Sequence, residues 1–373
     1  MVGSEDYLKN MNKDGWEIDL LPVSESKKSG DCILLRFGKL YQGKSKQKVI
    51  IIDGGYADTA QTVKKHLRKY YKCEQNGKLN IDLMVLSHPD NDHISGLVKL
   101  MEDDEIIVRG LLLNAPWYTM DRSWFKDGRI TEDSLERSLK EVFDKLAFLI
   151  NTAQDKGTKV IYATDYLGTC TFGNAKLHIL GPDEEFYNQC IANSEKTKDK
   201  ADDVPDISEA KTFSSDTEEN YIKGRIEWAD EDSTTAINES SIVFMFEYEN
   251  VKILFTGDAG RCALPKAFEY AKNKGIDISD ASIIKMPHHG SRHNFHPDIF
   301  KDFTGEGQTC YISCTQGDEG SHPSKRLVNQ LLEMGFKVLM TAGSILHRGN
   351  NAPDRGWKRA SSLNYYATIE RLE

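Results

Sequence analysis

The chain has 373 residues, enough for one large domain or two ordinary ones, and its 39% hydrophobic content supports a sizeable core. Its 48 basic and 58 acidic residues leave a net charge of −10, which disfavours wide, non-specific contact with nucleic acid. No apolar run approaches the ~20 residues that span a bilayer, and the first six residues lack a basic and apolar leader. Seven cysteines (Cys32, Cys73, Cys170, Cys190, Cys262, Cys310, Cys314) are scattered without a CxxC. Unpaired thiols of this kind fit a reducing compartment, so the expectation is a cytoplasmic protein with no membrane contact.

In chain order, residues 15–23 and 31–37 read as strands joined by a polar turn, and 48–52 as a third strand ending at Asp53-Gly54-Gly55. A helix over 59–71 precedes a short apolar strand, 81–86, too short for a helix. That strand runs into Ser87-His88-Pro89-Asp90-Asn91-Asp92-His93, where Pro89 forces the backbone out of the sheet. Behind it Ile94, Leu97, Val98 and Met101 recur at helical spacing, with Asp92 as the expected N-cap. Four potential ligands, His88, Asp90, Asp92 and His93, thus crowd one strand-to-helix loop. Adjacent carboxylates repel unless a cation lies between them, and imidazole suits borderline metals such as zinc.

A strand is expected over 106–113, then a helical insertion over about 115–156, where Leu135, Leu139, Val142, Phe143, Leu146, Phe148 and Leu149 show helical periodicity. Strands resume at 159–163 and 176–180. From 184 to about 232 the chain is polar and acidic and reads as a solvated loop. Residues 240–248 and 251–255 form a hairpin leading to Thr256-Gly257-Asp258 at a strand end, where Asp258 alone fits an N-cap as well as a ligand. A strand over 281–286 ends at Pro287-His288-His289-Gly290-Ser291, and adjacent histidines at a strand end are hard to explain by packing. The strand over 309–314 is followed by Ser321-His322-Pro323; there His322 fits a turn, a proton donor to a leaving group, or a holder of phosphate.

The His-x-Asp-x-Asp-His loop resembles the signature of the metallo-β-lactamase fold, usually His-x-His-x-Asp-His. With Gly30-Asp31, Ile52-Asp53-Gly54-Gly55, Asn238-Glu239-Ser240-Ser241, Thr-Gly-Asp, Pro-His-His-Gly-Ser and Ser-His-Pro, it is most similar to the hydrolase domain of the competence protein ComEC and its soluble relatives. The resemblance spans most of residues 16–111 and 237–345. It implies an α/β fold, a four-layer αββα sandwich, here a single domain over 1–373 with helical and acidic-loop insertions. It also implies two divalent metal ions, zinc or manganese: the first on His88 and Asp90, the second on Asp92, His93 and His288, with His289 as alternate and Asp258 bridging. Asp53 is expected behind the ligands rather than among them.

One departure stands out: the third histidine usual for the first ion is absent, and His178, the sole histidine in that interval, reads as a strand residue. A water held between two such ions loses a proton near neutral pH and becomes a nucleophile. The function expected is metal-dependent phosphodiester hydrolysis, nuclease-like on DNA, with Asp92, Asp258 and His322 as its catalytic residues. Nucleic acid or a small phosphodiester would be the substrate. Hydrolysis of a small substrate (cyclic nucleotide, ester or thioester) and a non-catalytic role in a larger assembly are the alternatives.

Overall fold

The computed structural model describes residues 10–127, 130–201, 217–229, 233–318 and 322–372. Among the described residues two seven-stranded sheets lie at the centre of the fold. The first is built from β1 (Gly15–Leu20), β2 (Cys32–Gly38), β3 (Gln47–Gly54), β4 (Leu83–Val85), β5 (Gly110–Leu113) and β6 (Lys159–Tyr162), closed beyond β1 by an edge strand, Leu346–Asn350. The second holds β7 (Gly168–Phe172), β8 (Ala175–Gly181), β9 (Val243–Tyr248), β10 (Val251–Phe255), β11 (Ile283–Lys285), β12 (Thr309–Ile312) and β13 (Lys337–Met340), in that spatial order.

Strict alternation along the strands explains the layering. Ile50 and Ile52 of β3 point between the sheets with Phe244 and Phe246 of β9, while Val49 and Ile51 point outward. The outward residues meet α1 (Thr59–His66) and α2 (Asn91–Glu102). On the other side Val243 and Met245 pack with Leu264 and Leu327, from helices Ala263–Asn273 and Lys325–Glu333. This is the expected four-layer αββα arrangement.

Strands β3 to β6 run parallel, as do β10 to β13. Their carboxyl ends therefore gather at one rim, the place where open α/β sheets bind ligands. Helix α2 is seated there by a close approach: the Gly96 N–H donates to the Gly55 carbonyl at 2.8 Å. A Cβ on Gly96 would stand 1.9 Å from the Gly54 carbonyl oxygen, so only glycine fits.

Two expectations are corrected. The N-cap of α2 is Asp90, not Asp92, and the Asp90 side chain makes no capping bond. The loop expected from 184 begins instead as helix Glu184–Asn193, because Asp183 caps it and Phe186, Tyr187, Cys190 and Ile191 bury one stripe amid acidic neighbours. Of the remaining acidic stretch, 202–216 and 230–232 lie outside the described residues, as does Ser321. The helical insertion is present as α3 (Glu132–Val142) and α4 (Asp144–Asp155), and Lys145 braces α4 on Asn91 and Ser95 of α2. All seven cysteines are free thiols. Among the described residues no helix is long and apolar enough to cross a membrane.

Candidate metal centre

Four strand ends deliver the site. β4 leads to His88 and the α2 loop, β10 to Asp258, β11 to the histidine pair, and β12 to Ser313. His288 and His289 both take left-handed backbone, with φ of 43° and 54°. Such conformations cost about 1–3 kcal/mol each in residues with a Cβ and persist where the surroundings over-determine them. Here they splay two neighbouring rings so that each faces a different carboxylate.

The hydrogen bonds at the far side of each ring then fix its tautomer. His93 Nδ1 lies 2.9 Å from Asp53 Oδ2, and His289 Nδ1 3.0 Å from the Ser313 carbonyl. His288 Nδ1 lies 3.0 Å from Asn294 Oδ1, whose amide donates to the Asp258 carbonyl. His88 Nδ1 lies 3.1 Å from Ser87 Oγ, and that hydroxyl is itself committed as a donor to Asp53. With each Nδ1 engaged on this far side, each Nε2 is turned toward the carboxylates, and His289 Nε2 hydrogen-bonds to Asp92 Oδ2.

Those Nε2 atoms converge. His88 Nε2 is 3.6 Å from Asp90 Oδ2 and 3.8 Å from Asp258 Oδ2. His93 Nε2 is 3.6 Å from Asp92 Oδ2 and 3.3 Å from Asp258 Oδ2. His289 Nε2 is 3.1 Å from Asp92 Oδ2, and His288 Nε2 3.9 Å from Asp258 Oδ2. The Nε2 atoms of His88 and His93 are buried without a hydrogen-bond partner. Imidazole nitrogens packed this closely on carboxylate oxygens call for positive charge between them, a proton or a cation, so the donor set fits divalent metal.

Electrostatics give the same answer. Burial alone would push Asp258 up and His93 down; instead the imidazoles of His93 and His288 hold the Asp258 carboxyl well below the usual range. Against its own burial, His93 is raised by Asp258, Asp92 and Asp53. His289 is raised against its burial by Asp92, Asp258 and Asp31. The carboxylates draw positive charge to this spot, as protons where no ion stands.

Asp92, His93, Asp258 and His289 offer ligand atoms all within 4.8 Å of one another. The alternate His289, rather than His288, thus joins the Asp92–His93 group, because its ring alone is turned that way by the Ser313 carbonyl. His178 is held by Glu247 and Thr169 in the second sheet, outside the site. His322 does line the cleft over the site, with Lys28, Tyr56, Asp90, Asp92 and His289. Burial and the neighbouring His288 and His289 push its imidazole down to about 3. A lowered value favours the neutral ring, which keeps one N–H to donate and one nitrogen to accept with. Asn294 and the Ser313 carbonyl escaped sequence reasoning, because a buried amide and a backbone oxygen carry no motif.

Residues 29–162 match the family described as the Metallo-beta-lactamase superfamily. No curated protein matches the sequence. Matching solved structures include a metallo beta lactamase from Hirschia baltica, 14% identical, covering 77% of this chain and 91% of its own, with a TM-score of 0.34. A diphosphatase from the PhnP family is 12% identical over 81% of this chain and 87% of its own, with a TM-score of 0.37. The hydrolase AbOPH is 12% identical over 61% of this chain, TM-score 0.29, and this chain spans 56% of its length.

Proposed function

We propose, from the metallo-β-lactamase superfamily domain that this chain carries, that it is a two-metal hydrolase cleaving phosphodiesters, with a nucleic acid strand or a small phosphodiester as substrate. The observation that carries the metal reading is the convergence of four Nδ1-anchored imidazoles on three carboxylates. In this reading His289, Asp92 and His93 would hold one ion, His88, Asp90 and His288 would hold the other, and Asp258 would serve both. His288 thereby supplies the histidine that the sequence lacked for the first ion. Each ion meets two nitrogens and two carboxylate oxygens, a set that suits zinc or manganese.

When bound, the ions supply a nucleophilic water and polarise a phosphoryl oxygen. The chain's own residues position and select. Asn294, Asp53, Ser87 and the Ser313 carbonyl keep the four rings aimed. His322, neutral and facing the cleft, is placed to donate an N–H to a substrate oxygen. Two divalent ions bring four positive charges against the three carboxylates of Asp90, Asp92 and Asp258. That balance favours a singly charged phosphodiester over a neutral ester. Beyond the ligands the cleft offers Glu25, Lys28 and Asp318, too little positive charge to track a long polyanion, so few phosphates are engaged.

The test is metal content with turnover of a panel: an aryl phosphodiester, single- and double-stranded DNA, RNA, a cyclic dinucleotide, a thioester and a lactone, each with manganese and with zinc. Two ions per chain and phosphodiester cleavage, both lost in Asp258→Ala, are expected. Turnover confined to the thioester or lactone would overturn the substrate class. A variant still carrying two ions would overturn the site.

A further inference from the structure

Three consecutive residues ahead of β2 reach the Asp92 loop, the strand end before His289 and the segment before His322, and the chemistry above uses none of them directly. Ser29 gives its backbone N–H and hydroxyl to the Asp318 carboxylate and accepts the Thr315 N–H. Asp318 also accepts the backbone N–H of His322. Gly30 lies on the backbone of Asp92: a Cβ there would stand 2.8 Å from the Asp92 carbonyl oxygen and 3.2 Å from its Cβ. Asp31 donates its N–H to that same carbonyl at 3.1 Å.

The side chain of Asp31 reaches the other sheet. Its Oδ2 lies 2.6 Å from Lys285 Nζ, and the two side chains are 1% and 2% exposed. Lys285 closes β11, immediately before Met286-Pro287-His288-His289, and its Nζ also donates to the Met286 carbonyl. The second oxygen of Asp31 has no hydrogen-bond partner and stands 3.7 Å from His289 Nδ1. One residue therefore ties the loop of Asp92, through its backbone N–H, to the strand end of His289, through its carboxylate and Lys285.

A buried ion pair is a poor way to gain stability, since desolvating both charges offsets most of their attraction, and apolar replacements often do as well or better. What such a pair fixes is geometry. We propose that Asp31 and Lys285 are positioning residues that set His289 of the second sheet against Asp92 and His93 of the first, and so build the ion site those three share with Asp258. The inference rests on the two-metal reading. Without the pair, the His88–Asp90–His288 side keeps its ligands, and the Asp92–His93–His289 side loses its register.

The experiment replaces the pair by apolar residues, Asp31→Leu with Lys285→Met, in the full chain. Thermal stability of the metal-free protein and stepwise uptake of manganese and zinc are measured beside wild type. Stability within a few degrees, one ion bound within twofold of wild type, and the other weakened tenfold or more are expected. A pair with only a structural role would leave both ions unchanged in a folded variant. Two unchanged affinities, or two equally weakened ones, would overturn the proposal. If the double variant does not fold, Asp31→Asn, which keeps the side chain's size and an oxygen for Lys285 and removes its charge, must show the same one-sided loss. A wild-type chain that takes up no ion would sink the two-metal reading, and this inference with it; wild type with two ions and indifferent variants would sink the inference alone.

Discussion

Glu239 has no solvent exposure, and its carboxylate accepts the backbone N–H groups of Gly260, Cys262 and Ala263, where helix Ala263–Asn273 begins just after Asp258. Burial pushes its carboxyl from 4.5 up to about 7, although the three N–H donors pull the other way. A raised folded-state value means that this stabilising contribution is complete below pH 4.5 and is lost as pH rises through about 7. The loss amounts to about 3 kcal/mol at most. Glu239→Gln keeps one accepting oxygen and removes the titration. Denaturant melts at pH 5 and pH 8 should show wild type losing more stability than the variant across that interval. Equal losses would mean that Glu239 stays ionised throughout.

The candidate ligands on the α2 loop were legible because chain neighbours share one turn, so spacing alone puts His88, Asp90, Asp92 and His93 together. The division of labour between His288 and His289 was not. It depends on two left-handed φ values and on a carbonyl from β12, none of which leaves a trace in residue type. The lowered value of His322 likewise comes from burial and from rings brought in from elsewhere in the chain.

Helix α2 shows how an element carries the chemistry. Its apolar stripe was plain in the sequence, and Ile94, Leu97, Val98 and Met101 are all buried. Less plain was what lets it sit so close to β3, the contact of Gly96 with Gly54. Gly96→Ala should cost about 3 kcal/mol or more, since the added methyl meets backbone that cannot move without the sheet. The variant should also bind metal more weakly, because His93 and Asp92 ride on the first turn. A variant with the wild-type melting midpoint would show that the helix yields freely. Helix Glu184–Asn193 was hidden for the opposite reason: acidic composition masked a short apolar stripe that only the core beneath it reveals.

At the scale of the whole molecule the αββα layering was legible from alternating strands, while the closure of the first sheet by Leu346–Asn350 was not, since that strand is half polar and pairs with β1 across most of the chain. The two sheets each bring part of the donor set: Asp92 and His93 hang from the first, Asp258 and His289 from the second. An ion bound to both is a ligand of the docked state alone. It stabilises by mass action every fluctuation-resistant contact that must break for the sheets to part, by about 2.7 kcal/mol at a hundredfold excess over its dissociation constant. Openings that leave the sheets together gain nothing. Amide protons of β10 and β11 should thus gain protection from added ion while those of α3, out on the insertion, exchange as before. The difference between the two exchange maps would trace the seam between the sheets, residue by residue.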